Sequence, residues 1–234
     1  MCQFFSALVV RNGDVLWHEA TDSHTDLVRH YQLPDNTDCR HFAKVEFTPP
    51  AKNGRPDYLD VGNYTLRVDE DTEPAWFEEY REAVTAKCRH IVQSMIITDA
   101  RDLILGGKWI LAGDAKINDF RARAVICQDS ASIDSVRDTA RIGSVRDTAR
   151  IDSVGDTARI DSVGGSASIG SVWGSASIGS VGDTASIDSV RGSARIDSVR
   201  DSAHIGSVRG SARIDSVRDS AHIGKDLRPT PPEK

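Results

Sequence analysis

Residues 189–224 read SVRGSARIDSVRDSAHIGSVRGSARIDSVRDSAHIG, and this stretch decides the fold. It repeats one nine-residue phrase four times, and residues 191–206 return unchanged as 209–224, eighteen positions later. The same phrase, A-x-I-[DG]-S-V-x-[DG]-[ST], runs through the whole region 131–224. Self-similarity at a short fixed period is typical of a solenoid, in which each repeat packs only against its neighbours.

The residue types of the phrase favour strands rather than helices. Ala and Ile, two residues apart, share one face of a strand. A period of nine does not match the 3.6-residue helical period over many copies, and Gly or Asp at two places per phrase would break helices. Alanine recurs every nine residues from Ala131 to Ala221, followed by Ile and Val. We therefore expect a parallel β-solenoid, or β-helix, with Ala, Ile and Val aligned in columns of a dry core.

The length of one coil has two possible values. Nine residues would enclose a tube too narrow for an Ile and a Val, whereas eighteen would place two phrases across the core from each other. The copy at eighteen residues favours the second value, although it could also record a gene duplication without structural meaning. We expect 18 residues per coil and five or six coils. GDAKINDF, residues 113–120, fits the phrase with Phe120 in the valine column, and LILGGKWILA before it reads as a joint.

The residues before the repeats are varied and predict a small α+β domain. Asn12-Gly13 is a two-residue turn signal between two β-rich runs. DSHTDLVRHYQL reads as a short helix capped by Asp22 or Ser23, and a longer helix is expected from about Pro74 to Ile97. HFAKVEF and NYTLRVD alternate as strands do. The expected organisation is 1–106 for this α+β domain, 107–224 for the solenoid and 225–234 for a C-terminal tail.

Composition and charge exclude several classes of protein. The chain has 234 residues and a net charge of −6 with both signs mixed, so a nucleic-acid partner is not expected. No apolar run is long enough to cross a membrane. The first residues lack the features of a signal peptide, and four scattered cysteines indicate reduced thiols. We expect a location in the cytoplasm, with no cofactor and no metal.

The outward positions of the repeat vary, so binding is sought there. Arg and Asp nearly balance over 131–224, with 11 against 12, which favours a solvated face that keeps the rod soluble. The alternative is an arginine ladder for an anionic partner, with an exposed Trp among Gly and Ser as a contact residue. The candidate binding residues are Trp173, Arg141, Arg150, Arg159, Arg191, Arg200 and Arg209.

Four other kinds of function have some pattern in the sequence that must be compared with their usual motifs. Removal of Met1 would expose Cys2 at the start of a strand, which resembles class II glutamine amidotransferases and other N-terminal-nucleophile hydrolases; Gln3 departs from the glycine usual there.

A short hydroxyl patch (Ser166/Ser168, Ser175/Ser177, Thr184/Ser186) resembles the threonine arrays of ice-binding solenoids. Two C-x-H motifs, Cys39-Arg40-His41 and Cys88-Arg89-His90, lack the ligand spacing usual for zinc. The G-G-x-G-x-D phrase of a calcium β-roll is absent.

Six segments of the chain carry a resemblance to known proteins: MCQFFSALVV, DSHTDLV, AKVEFTP, PAWFEEY and GGKWILAGDAKI, followed by GSASIGSVWGSASIGSV. Together they resemble uncharacterised bacteriophage and prophage proteins. Those proteins look like a small N-terminal domain followed by a variable number of nine-residue repeats. The resemblance implies a phage origin and a β-solenoid, but no activity. We expect a non-enzymatic scaffold that binds a host or virion protein, including host defence proteins, and that can form homo-oligomers. If the protein is phage-encoded, its expected location is the host cytoplasm or a virion. The runner-up is an amidohydrolase using Cys2.

Overall fold

The computed structural model of the chain describes residues 5–34, 39–52 and 54–228. The chain forms two compact units, Met1–Ile96 and Ile97–Lys234. The first is a small α+β region, and the second is a parallel β-solenoid of about seven turns with roughly 18 residues per turn. The expected fold class is confirmed.

The N-terminal unit is built on an antiparallel sheet with the strand order β2-β1-β3-β6. Apolar side chains of β1 and β3 are buried, Leu8 and Phe47 among them. The strands of the unit are β1 (Ser6–Val10), β2 (Val15–Leu16), β3 (Phe42–Thr48), β4 (Ala51–Lys52), β5 (Arg55–Pro56) and β6 (Thr65–Val68). Its helices are α1 (His24–His30) and α2 (Arg81–Ser94), with 3-10 turns at Val61–Asn63 and Ala75–Tyr80.

The first hairpin forms where the sequence predicts it, but its loop has three residues rather than two. Val10 N–H donates to the Asp14 carbonyl at 3.1 Å, and Gly13 N–H donates to the Val10 carbonyl at 2.8 Å. Gly13 has a φ of 79°. A turn followed by one residue in the left-handed region is the usual three-residue hairpin loop, which explains why glycine stands third.

Both predicted helices are present, and the second is shorter than expected. The Ser23 side chain caps α1 by accepting the Asp26 N–H at 3.3 Å. The segment expected as one helix from Pro74 to Ile97 divides into the 3-10 turn, α2 and a strand β7 (Ile96–Ile97). The β-branched pair at the end of the apolar stripe favours a strand over a further helical turn.

Each strand of the solenoid pairs in parallel with the strand one turn later. Ile133 lies beside Ile151, and Ile142 lies beside Ile160, which gives eighteen residues per turn. The solenoid strands are β8 (Ala100–Leu111), β9 (Lys116–Cys127), β10 (Ser132–Val136), β11 (Arg141–Val145), β12 (Arg150–Val154), β13 (Arg159–Val163), β14 (Ser168–Val172), β15 (Ser177–Val181), β16 (Ser186–Val190), β17 (Arg195–Val199), β18 (His204–Arg209), β19 (Arg213–Val217) and β20 (His222–Leu227).

Two strands per turn give the solenoid two faces. The even face consists of β10, β12, β14, β16, β18 and β20, and the odd face consists of β11, β13, β15, β17 and β19. From Ala131 to Val208 the Ala, Ile and Val of every phrase are buried. The strand pairing skips the Asp or Gly between Ile and Ser, so Ile and Val, three residues apart, both enter the core.

The corners between strands explain why the eighth position of the phrase is either Asp or Gly. This residue has a positive φ of 54–59° at the Asp corners and 65–71° at the Gly corners. Glycine adopts this region freely, and Asp tolerates it better than most residues do. The corner residues are Asp129, Asp138, Asp147, Asp156, Gly165, Gly174, Asp183, Gly192, Asp201, Gly210 and Asp219.

The segment LILGGKWILA, which the sequence predicts to be a joint, already belongs to the solenoid. Phe120 pairs with Val136 in the valine column, as the sequence predicts. The supposed joint lies in β8, which pairs in parallel with β9 and therefore belongs to the same sheet. These strands raise the number of turns from the expected five or six to about seven.

Candidate binding faces of the solenoid

The eighteen-residue turn sorts the nine-residue arginine column onto two faces. Arg150 lies on the even face, whereas Arg141 and Arg159 lie on the odd face. The candidate residues therefore do not form one continuous ladder. Three further candidates, Arg191, Arg200 and Arg209, follow the last core valine of their strands at the corners, and all three are exposed.

Basic side chains concentrate at the start of the odd face and on β9, the strand that pairs with β11, the first strand of this face. Arg123 of β9 pairs in register with Arg141, and Arg141 pairs with Arg159, so three arginines stand on successive rungs. Adjacent parallel strands lie about 4.8 Å apart, so the backbones place these like charges close together. Such a row is stabilised by an anionic group, which arginine binds through its planar guanidinium.

Arg141 and Arg159 are the available members of this row. Both side chains are exposed, and neither guanidinium makes a hydrogen bond or an ion pair within the described part of the chain. The other end of the odd face differs. Arg195 donates to Asp197 at 2.7 Å and also pairs with Asp215, and these hydrogen bonds raise the pKa of its guanidinium further. The free positive charge of this face therefore lies towards its N-terminal end.

The even face carries aspartates in the position that follows the core isoleucine. The carboxylates of Asp134 and Asp188 are exposed and make no side-chain hydrogen bond or ion pair among the residues described, although Asp188 interacts with Arg150 at longer range. Asp152 accepts from Arg150 on the same strand at 2.7 Å. Further along this face His204 and His222 stack, with ring centroids 5.5 Å apart and planes 19° from parallel. The exposed side chains without a contact are thus acidic on the even face, whereas on the odd face they are Arg141, Arg159 and one carboxylate, Asp161.

Trp173 is half-buried rather than fully exposed. Its indole N–H donates to the Ser153 hydroxyl at 2.8 Å. The ring lies over Gly155, one turn earlier, where an added Cβ would stand 2.3 Å from ring atoms. Glycine at 155 thus makes room for the indole, and one side of the ring packs against the protein's own backbone.

The hydroxyl patch considered for ice binding is divided by the coil. Ser168 and Ser186 stand on the even face, and Ser177 stands on the odd face. The hydroxyls of Ser166 and Thr184 lie 3.1 Å apart at one corner. The patch therefore does not form a single array.

The enzymatic alternative rests on Cys2, which lies outside the described residues. Cys88 and Cys127 are buried, and burial raises the pKa of each thiol to about 12, so both are unreactive near neutral pH. Cys39 is partly exposed. Within the described ranges no group of three His, Cys, Asp or Glu side chains is arranged to hold a metal ion.

Arg123 is the residue of the basic row that the repeat alignment does not include, because its strand departs from the phrase. The signal was present in the sequence, since Arg123 precedes Arg141 by eighteen residues. Counting back eighteen residues from Arg141, rather than aligning on the nine-residue phrase, identifies Arg123.

No helix in the described ranges is long and apolar enough to cross a membrane. Compared with known proteins, the chain matches no family model, no curated protein and no solved structure.

Proposed function

We propose that the protein is a non-enzymatic binding scaffold whose solenoid presents its odd face to an acidic surface of a protein partner. One observation carries the proposal. Arg141 and Arg159 stand exposed on adjacent rungs, and neither has an anionic partner within the described chain. Since an exposed guanidinium forms strong bidentate hydrogen bonds with carboxylates, this pair favours an acidic protein surface.

The core supports a rigid scaffold rather than an adaptable one. Successive turns bury the same Ala, Ile and Val columns, and each strand is hydrogen-bonded to the turns before and after it. Side chains on such a frame keep their spacing, which reduces the ordering cost of binding. The resemblance to phage and prophage proteins favours a host protein, including a defence protein, or a virion component as the partner, with action in the host cytoplasm or the virion.

The test is a pull-down with purified tagged protein from a candidate host extract at low salt. The variant R141S/R159S removes the free pair, and the matched control R191S/R209S removes two exposed corner arginines. We expect wild type and control to retain the same proteins and R141S/R159S to lose them. Capture should weaken as salt rises, because exposed charges are screened.

Equal capture by all three proteins would contradict the proposal, as would capture that disappears after nuclease treatment, which would indicate nucleic acid. Thermal unfolding of each variant checks that the fold is intact. Trp173→Ala tests the second candidate contact, and we expect a smaller effect than for the arginines because one side of the ring packs on Gly155.

A further inference from the structure

One column of side chains on the even face and one column on the odd face carry opposite charges in the same order along the solenoid. On the even face, the position after the core isoleucine reads Asp134, Asp152, Gly170 and Asp188 on successive rungs. On the odd face, the first strand position reads Arg141, Arg159, Ser177 and Arg195. Each series therefore has a charged residue on its first, second and fourth rungs and an uncharged residue on its third.

The gaps coincide because one stretch of the chain carries no charge. From Ser162 to Gly182 there is no Asp, Glu, Lys or Arg, and this stretch supplies both Gly170 and Ser177. Both series also have the same rung spacing, about 4.8 Å, since they belong to one solenoid. Complementary charge with a matched period is what two packed copies require.

We propose that copies of this chain associate side by side, with the odd face of one solenoid against the even face of the next and both pointing the same way. This inference goes beyond the proposed function, since its partner is a second copy. With both solenoids pointing the same way, two odd faces would match Arg159 with Asp161 but would set Arg141 against the uncharged Gly143. With the solenoids pointing in opposite directions, two odd faces would oppose arginines to arginines, which is unfavourable.

The contact between β12 of one copy and β13 of the other shows the fit in most detail. A coil of two strands carries them in opposite directions around the core, so the facing strands of two parallel copies run antiparallel. The order Arg150, Asp152 on one copy then meets Arg159, Asp161 on the other in reverse. Asp152 faces Arg159, and Arg150 faces Asp161, so both positions pair with the opposite charge.

The association also gives partners to groups that have none within the chain. The side chains of Asp134 on the even face, and of Arg141 and Arg159 on the odd face, are exposed and make no hydrogen bond or ion pair among the described residues. Asp188 is also exposed, and only the long-range charge of Arg150 acts on it. Arg195 already contacts Asp197 and Asp215, so we expect it to contribute less.

Size and symmetry set the kind of assembly. Four rungs by five residues span roughly 20 Å by 17 Å, well below the area of a stable dimer, so the association should be weak. The two contacting faces differ, so the contact can repeat on both sides of each copy. Such heterologous contacts build open assemblies rather than closed dimers.

Sedimentation velocity on the full chain, over a concentration series at low and at high salt, tests this inference. We expect the wild-type weight-average mass to rise with concentration beyond that of a dimer at low salt and to fall to that of a monomer at high salt. R141D/R159D, which makes the odd face acidic, and D134R/D152R, which makes the even face basic, should each remain monomeric alone.

An equimolar mixture of the two variants should associate, because the acidic even face of one meets the basic odd face of the other. Each Arg-to-Asp change adds two negative charges to a chain of net charge −6, and each Asp-to-Arg change removes two. Both variants therefore stay negative overall, and opposite net charge cannot explain the rescue. The control R191D/R209D, at the corners, should associate as wild type does.

A wild type that is monomeric at every concentration in low salt would overturn the inference. So would association that either face variant leaves intact, or a mixture that stays monomeric. Because the experiment contains only purified protein, none of these results bears on capture of a different protein by the odd face.

Discussion

At the scale of single residues, the corners show why so few residue types repeat. One residue per half-turn must adopt a positive φ, and the chain fills it with Asp or Gly. Asp adds a hydrogen bond that Gly does not, since its carboxylate accepts the backbone N–H of the corner residue one turn earlier. Asp201 accepts from Asp183 N–H at 3.0 Å in this way.

Asp201→Ala should therefore destabilise the protein by roughly 1–3 kcal/mol, because alanine is strained at positive φ and lacks the carboxylate. Asp201→Gly keeps the backbone conformation and loses the hydrogen bond and an exposed ion pair with Arg200, as alanine does, but adds no strain, so it should destabilise the protein less. Urea unfolding of both variants measures the difference. Equal losses would show that backbone strain does not govern these corners.

The pairing of Trp173 with Gly155 predicts a strong coupling between the two positions. Gly155→Ala would place a Cβ against the indole ring, at 2.3 Å in the present geometry, and should cost roughly 1–3 kcal/mol. In the Trp173→Ala background, the same change should cost much less. A double-mutant cycle by urea unfolding checks this. Additive losses would mean that the ring does not lie on Gly155.

At the scale of strands, each rung depends on its neighbours on both sides. Ile178 lies between two other rungs and is fully buried, whereas Ile223 of β20 is only partly buried. Val217 and Leu227, near the same end, are 44% and 51% exposed. Core packing therefore weakens over the last rungs described.

Truncating isoleucine should reproduce this gradient. Ile178→Ala should cost about 3–4 kcal/mol, because it leaves a cavity that neighbouring rungs cannot fill. Ile223→Ala should cost less than half as much, since part of its side chain is already in water. Chemical unfolding of the two variants compares them directly. Equal costs would contradict the rung-by-rung packing described here.

Much of this element-scale structure was predictable from the sequence because it repeats. The Ala, Ile and Val columns and the place of Phe120 follow from period and residue type alone. In the N-terminal unit the outcome depended on local competition. The hairpin gained a third loop residue at Arg11, and the expected long helix ended at Ser94 because Ile96 and Ile97 formed a strand.

The binding faces were less predictable for a different reason. A nine-residue alignment places Arg141, Arg150 and Arg159 in one column, and only the eighteen-residue turn separates them onto two faces. The ion pairs that neutralise Arg195 depend on side-chain conformations that no period encodes. The half-buried state of Trp173 depends on a glycine one turn away.

At the scale of the whole molecule, one geometric property is central: eighteen residues make one turn, so alternate phrases face opposite sides. The charge of each face, the separation of the arginines and the proposed side-by-side association all follow from it. Were the turn nine residues long, Arg141, Arg150 and Arg159 would stand in a single row.

Spin labels test this claim most directly. Labels are attached to cysteine pairs in a chain in which Cys2 and Cys39 are replaced by serine. The buried thiols of Cys88 and Cys127 should not react, because burial raises the pKa of each to about 12. The two pairs compared are S168C/S186C, eighteen residues apart, and S168C/S177C, nine residues apart.

Ser168 and Ser186 pair in register on adjacent strands, about 5 Å apart, so their labels should show strong spin-exchange broadening in continuous-wave spectra. Ser168 and Ser177 lie on opposite faces, and their labels should give the narrow spectrum of isolated spins. Broadening in the nine-residue pair, with narrow lines in the eighteen-residue pair, would contradict the account.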